Sequence, residues 1–216
     1  MSLFSKQNRE VFINPLNLDN PVLIQVLGIC SALAVTSQLK PSIVMGLAVT
    51  IITAFSNVIV SIIRKTIPNR IRIIVQLVVV AALVTIVSQV LKAFAYDVSV
   101  QLSVYVGLII TNCILMGRFE AFALGNPPGK SFLDALGNAG GYSIALLIVA
   151  FFRELLGSGT LLGFQVLGDP IKKTGVYALG YENNGFMLLA PMALVTYGIV
   201  VWVQRSRNKA LIEEGH

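Results

Sequence analysis

Six stretches of roughly twenty residues, each almost free of charge, fill this chain and fix the solvent it folds in. They run from Pro21 to Leu39, Pro41 to Ile63, Ile71 to Leu91, Leu102 to Phe122, Leu136 to Leu156 and Gly185 to Val203. A helix needs about 20 predominantly apolar residues to cross the hydrocarbon core, so each stretch is long enough to span. With 56% hydrophobic and 12% charged residues and a mean hydropathy of +0.81, the composition excludes a water-soluble domain. Leu, Ile, Val, Ala and Gly follow one another without strict apolar/polar alternation, which fits helices and not the strands of an outer-membrane barrel. The expected class is an all-α integral membrane protein with six transmembrane helices.

Lysine and arginine set the expected orientation. Lys6, Arg9, Arg64, Lys65, Arg70, Arg72, Arg118, Lys130, Arg205, Arg207 and Lys209 fall on one side of the six spans; Lys40, Lys92, Arg153, Lys172 and Lys173 fall on the other. The positive-inside rule then predicts both termini in the cytoplasm. The polar stretch Met1 to Asn20 has no apolar run before a small-residue cleavage site, so no cleaved signal peptide is expected. The net charge of +6 is accounted for by this asymmetry and by anionic lipid headgroups, without a nucleic-acid partner.

Six spans divide into three and three, and an odd number per half inverts the second half relative to the first. The expected organisation is an N-terminal tail at 1–20, a transmembrane domain at 21–204 made of inverted repeats at about 21–92 and 101–204, and a C-terminal tail at 205–216. The first span of each half carries one cysteine, Cys30 and Cys113. Gly28, Ser31, Thr36 and Ser37 surround the first, and Gly107, Thr111, Asn112 and Gly117 the second. Such residues at membrane depth mark interrupted helices or close helix packing. The first reading predicts a break in the leading helix of each half.

Cys30 and Cys113 are the only thiols. Spacing leaves two readings open: buried packing, the usual fate of an isolated membrane cysteine, or half of a metal site. A structural disulfide is disfavoured because helices and lipid already hold the fold. An iron–sulfur cluster takes four thiolates, and the single histidine, His216, ends a polar tail. A metal site would therefore need a second copy of the chain or a sister subunit with two cysteines of its own.

Other motifs carry less. Gly125-Asn126-Pro127-Pro128-Gly129 lacks a Gly-Lys-Ser/Thr ending, and Gly137-Asn138-Ala139-Gly140-Gly141 follows no strand, so neither cradles a nucleotide. One terminal histidine cannot build a Ser/His/Asp set. Arg153-Glu154 and the Arg118, Glu120 pair lie near predicted interfaces, where snorkelling or local pairing is expected. Pro191 is expected to kink the sixth span, and Tyr96, Tyr105 and Trp202 to mark aromatic belts. A stand-alone secondary transporter would share the inverted repeat without a metal.

Three strings narrow these options: Gln25-Val26-Leu27-Gly28-Ile29-Cys30-Ser31-Ala32-Leu33-Ala34-Val35-Thr36; Ile109-Ile110-Thr111-Asn112-Cys113-Ile114-Leu115-Met116-Gly117-Arg118-Phe119-Glu120-Ala121-Phe122-Ala123; and Phe151-Phe152-Arg153-Glu154-Leu155-Leu156-Gly157-Ser158-Gly159. They resemble the NqrD/RnfE family, and the likeness runs from about Asn14 to Trp202. The resemblance implies a multi-pass subunit of a sodium-translocating NADH:ubiquinone oxidoreductase, a respiratory translocase of the bacterial inner membrane. It implies pairing with an NqrE-like sister subunit in inverted orientation, and a [2Fe–2S] cluster held by two cysteines from each. Cys30 and Cys113 match the two ligand positions of this subunit. NADH, flavins and ubiquinone are implied to bind other subunits, so the isolated chain is expected to have no turnover. A similar subunit serves the Rnf-type complex, which couples ferredoxin and NAD.

Overall fold

Leu39 to Ile63 forms the first long helix, and what precedes it is irregular. The computed structural model describes residues 11, 21–22, 24–68, 70–94, 105–162, 164–165 and 185–207. In chain order these form α1 (Ile29–Val35), α2 (Leu39–Ile63), α3 (Arg72–Phe94), α4 (Val106–Ile110), α5 (Cys113–Arg118), a π-helical turn (Phe119–Ala123) and α6 (Pro128–Gly157). A two-stranded antiparallel ribbon follows, β1 (Thr160–Leu161) with β2 (Phe164–Gln165), then a 3-10 turn (Gly185–Leu188) and α7 (Ala190–Arg207).

Among the described residues three helices are long and apolar enough to cross a membrane: Leu39–Ile63, Arg72–Ala93 and Pro128–Gly157. At 1.5 Å per residue the 25 residues of α2 reach about 37 Å, more than the hydrocarbon thickness of about 30 Å. The chain is a mainly helical membrane protein. Three of the expected spans therefore form as continuous helices, while the first and fourth are broken into short pieces. Predicted features at 1–10, 12–20, Tyr96, Lys172, Lys173 and 208–216 lie outside the described residues.

The central contact is α2 against α6, and small residues make it close. A Cβ at Gly46 would stand 3.0 Å from Ser143 Oγ, and that hydroxyl lies between the carbonyls of Ala139 at 2.8 Å and Gly46 at 3.1 Å, and 3.3 Å from Thr50 Oγ1. Met45, Val49 and Ile52 from α2 are buried with Tyr142, Leu146 and Val149 from α6. In lipid, where apolar side chains gain little by meeting each other, such backbone approach and interhelical hydrogen bonding drive association. α3 packs on α2 and turns Ile73, Ile74, Val78, Ile86 and Val90 outward, the pattern of a lipid-facing helix.

The helix ends follow from the residues at them. Pro41 sits in the first turn of α2, where a missing N–H costs nothing, and the Leu39 N–H of that turn donates to the Glu154 carboxylate. Pro128 opens α6, and Gly159 leaves it with φ +68°. Pro191 is the second residue of α7, so it starts that helix instead of kinking a span. α7 also runs three residues past the predicted boundary at 204.

Candidate metal centre

Each cysteine sits at the start of a short helix that a backbone irregularity has opened. Before α1, Val26 has φ +58° and Gly28 has φ +83°, and Leu27 N–H reaches back to the Pro21 carbonyl at 2.9 Å. Glycine takes the left-handed conformation without a Cβ penalty; a Cβ at Gly28 would also stand 3.0 Å from Tyr142 Cε2. The helix therefore begins at Ile29 and places Cys30 in its first turn. In the other segment α4 stops at Ile110, Asn112 is extended at ψ 122°, and its side chain caps α5 by accepting from the Ile114 N–H at 3.3 Å. Cys113 is the first residue of α5.

These two breaks bring the thiols together. Cys30 Sγ lies 3.8 Å from Cys113 Sγ across 83 sequence positions, and both residues are free thiols exposed on the surface of the chain. Two thiolates each about 2.3 Å from one tetrahedral ion stand roughly 3.8 Å apart, so the pair has the spacing of adjacent ligands. Among the described residues no group of three or more His, Cys, Asp and Glu side chains is placed to hold a metal. Among the described residues the donor set at this point is the two sulfurs.

Beneath the thiols is a buried polar junction that sequence reading identified only in part. Ser31 and Asn112, next to the two cysteines, meet through Asn112 Nδ2 donating to Ser31 Oγ at 3.2 Å. Tyr142, halfway along α6, adds its hydroxyl 2.8 Å from Ser31 Oγ. All three residues are fully buried. Nothing in the local sequence of Tyr142, set in the run Gly140-Gly141-Tyr142-Ser143, points to this role.

The charged residues flagged in the sequence pair otherwise than expected. Arg118 does not pair with Glu120; it binds Asp134 of α6 through Nε at 2.9 Å and Nη2 at 2.5 Å, with its guanidinium also over the Phe122 ring. Glu120 instead meets Arg72 at 2.8 Å and Gln76 at 3.2 Å. Arg153 and Glu154 neither snorkel nor pair with each other. Arg153 is 1% exposed and donates to the carbonyls of Met187, Leu188 and Leu189 and to Thr36 Oγ1. Trp202 is exposed and Tyr105 half-buried, near the ends of their helical segments.

Comparison with known proteins fits this architecture. A family pattern described as Rnf-Nqr subunit, membrane protein, matches residues 8–201. The chain is 50% identical over 210 residues to the NqrD subunit of the Na(+)-translocating NADH-quinone reductase from Yersinia enterocolitica, covering 97% of this chain and 98% of that one. It is 53% identical over 205 residues to the proteins of the same name from Pseudomonas paraeruginosa, covering 95% of this chain and 90% of that one, and from Pseudomonas aeruginosa, covering 95% and 89%. With the pattern spanning 8–201 and half the residues shared along almost the whole length, this chain belongs to the Rnf-Nqr family of membrane-protein subunits.

Proposed function

We propose that this chain is the NqrD-type membrane subunit of a sodium-translocating NADH:ubiquinone oxidoreductase in the bacterial inner membrane, and that Cys30 and Cys113 supply two of the four thiolates of an intramembrane [2Fe–2S] cluster. An NqrE-like sister subunit supplies the other two. The observation that carries the reading is the 3.8 Å approach of two thiols that are 83 positions apart and face outward. Inert packing would bury each sulfur separately; a shared site needs both at one open surface, where a partner can complete it. The relatives are also named for the NADH-quinone reductase, which favours a quinone acceptor over the ferredoxin-linked Rnf chemistry.

Bound there, an iron–sulfur cluster supplies one-electron transfer in the respiratory chain. This chain's own part is to hold two sulfurs at the right spacing and to keep water away with the buried layer below. Hydrogen bonds to ligand sulfur moderate its charge and tune the potential. NADH and flavin chemistry belongs to other subunits of the complex. The inverted three-helix repeat is supported by two relations: α2 and α6, second helix of each half, make the most extensive contact, and the broken first segments of the halves meet at their cysteines. Both termini are assigned to the cytoplasm from the Lys and Arg distribution.

Purification with native partners tests the reading. Cys30→Ala and Cys113→Ala should each abolish iron and acid-labile sulfide at the membrane centre and stop quinone reduction, while NADH oxidation by an artificial acceptor survives. Full iron content with full quinone reduction in the double variant contradicts it.

A further inference from the structure

The buried junction under the two thiols is chemically saturated around one atom. Ser31 Oγ is 2.9 Å from the Gly28 carbonyl, to which it donates its single proton. The other two contacts must then run inward: Tyr142 O–H donates at 2.8 Å, and Asn112 Nδ2 donates at 3.2 Å. Asn112 Oδ1 is itself engaged by the Ile114 N–H. Gly28 and Ser31 flank Cys30, and Asn112 precedes Cys113, so the junction ties together the backbone of both cysteine segments. Tyr142 comes from α6, which packs along α2, and its ring fills the space left by the missing Cβ of Gly28.

We propose that Tyr142 is a positioning residue for the thiol pair, acting through Ser31 and Asn112 to lock the two broken segments in register and so set the separation of Cys30 Sγ and Cys113 Sγ. The hydrogen bonds of Tyr142, Ser31 and Asn112 run to one another and to backbone groups, so the effect on the sulfurs is transmitted through the backbone. Two helix starts that are separately irregular have no local reason to keep a fixed mutual position; three hydrogen bonds converging on Ser31 Oγ supply one. The network is fully buried, where an unmade partner is expensive and a satisfied one specifies a unique arrangement. The functional weight of this device rests on the cluster-ligand reading above, whereas the geometry it enforces does not.

The test uses the purified complex and two mild variants. Tyr142→Phe removes one oxygen and leaves no buried donor unpaired. Asn112→Ser keeps a side-chain oxygen for the Ile114 N–H and loses the reach to Ser31. After iron is removed by chelation, phenylarsine oxide, a trivalent arsenical that bridges two close thiols, is titrated in. Capture is read by mass spectrometry as protection of the Cys30 and Cys113 peptides from alkylation. A preorganised pair binds without a further ordering cost, so each variant should need about fivefold more arsenical than the wild type, the consequence of one lost hydrogen bond. In the iron-loaded complex the reduced-cluster resonance should broaden and the midpoint potential shift. Wild-type capture by Tyr142→Phe overturns the proposal. Unchanged capture by Asn112→Ser does the same, and either variant suffices if the other fails to assemble. A wild-type complex without iron before chelation would instead sink the ligand reading and leave the capture comparison intact.

Discussion

Arg153 and Thr36, 117 positions apart, meet through a 2.5 Å hydrogen bond from Nη1 to Oγ1. Thr36 closes α1, with its own hydroxyl donating to the Ala32 carbonyl, so the helix that presents Cys30 is fastened at its far end by a buried guanidinium. The rest of that guanidinium holds the Met187, Leu188 and Leu189 carbonyls at the entry to α7. Arg72 and Arg118 form ion pairs with Glu120 and Asp134; Arg153 is instead solvated by carbonyl and hydroxyl oxygens. A cation at this depth persists only when its donors are answered.

Removing that cation should loosen two elements at once. Arg153→Met leaves three carbonyls without their charged donor, and hydrogen bonds to charged groups contribute about 1.5–3 kcal/mol each before compensation. The expected result is a fall in detergent Tm together with proteolysis near 185–189. Arg153→Lys should rescue poorly, since an ammonium cannot reproduce the planar fork.

Gly28→Ala places a side chain where φ is +83° and a Cβ 3.0 Å from the Tyr142 ring. The left-handed conformation alone costs about 1–2 kcal/mol, and the ring contact adds to it. We expect displacement of the start of α1 and reduced iron occupancy of the complex, measured by metal content, with α2 and α6 retained by circular dichroism.

Arg118 and Asp134 form a two-point ion pair with both side chains nearly buried. Losing one partner strands a charge, which costs about 3–5 kcal/mol in buried pairs, while losing both costs much less. Arg118→Met and Asp134→Leu should therefore each destabilise strongly and the double variant should recover most of the loss. A thermal-unfolding double-mutant cycle measures this; additive losses would show that the two groups are solvated independently.

The long helices were legible from hydropathy because their apolar length is a local property. Pro41 to Ile63 and Ile71 to Leu91 match α2 and α3 closely. α6 starts at Pro128, eight residues before the predicted Leu136, because Lys130 and Asp134 lower the hydropathy of its first turns while Arg118 answers Asp134 from another segment. The breaks around Cys30 and Cys113 were foreshadowed by the glycines, hydroxyls and Asn112. Their meeting was implied by the family resemblance and not by spacing, since the two segments are 83 positions apart. Spacing is equally silent on Tyr142, Arg153 and the Arg72–Glu120 pair, whose roles are long-range contacts with no periodic signature.

Gly46→Leu tests whether the α2–α6 seam depends on close backbone approach. The new side chain would begin 3.0 Å from Ser143 Oγ and 3.2 Å from Ser143 Cβ, forcing the helices apart. Overpacking of this kind costs about 1–3 kcal/mol, and the Thr50, Ser143 and Gly46 hydrogen bonds would go with it. Lower Tm and reduced yield of assembled complex are expected; a variant as stable as the wild type would mean that the seam is not set by small residues.

The most direct measurement is anomalous scattering at the iron edge from crystals of the complex purified with its native partners. The account predicts an iron peak within bonding distance of both Cys30 Sγ and Cys113 Sγ, at the surface that a sister subunit covers. Free thiols at these two positions, with iron absent or bound elsewhere in the membrane domain, would contradict it.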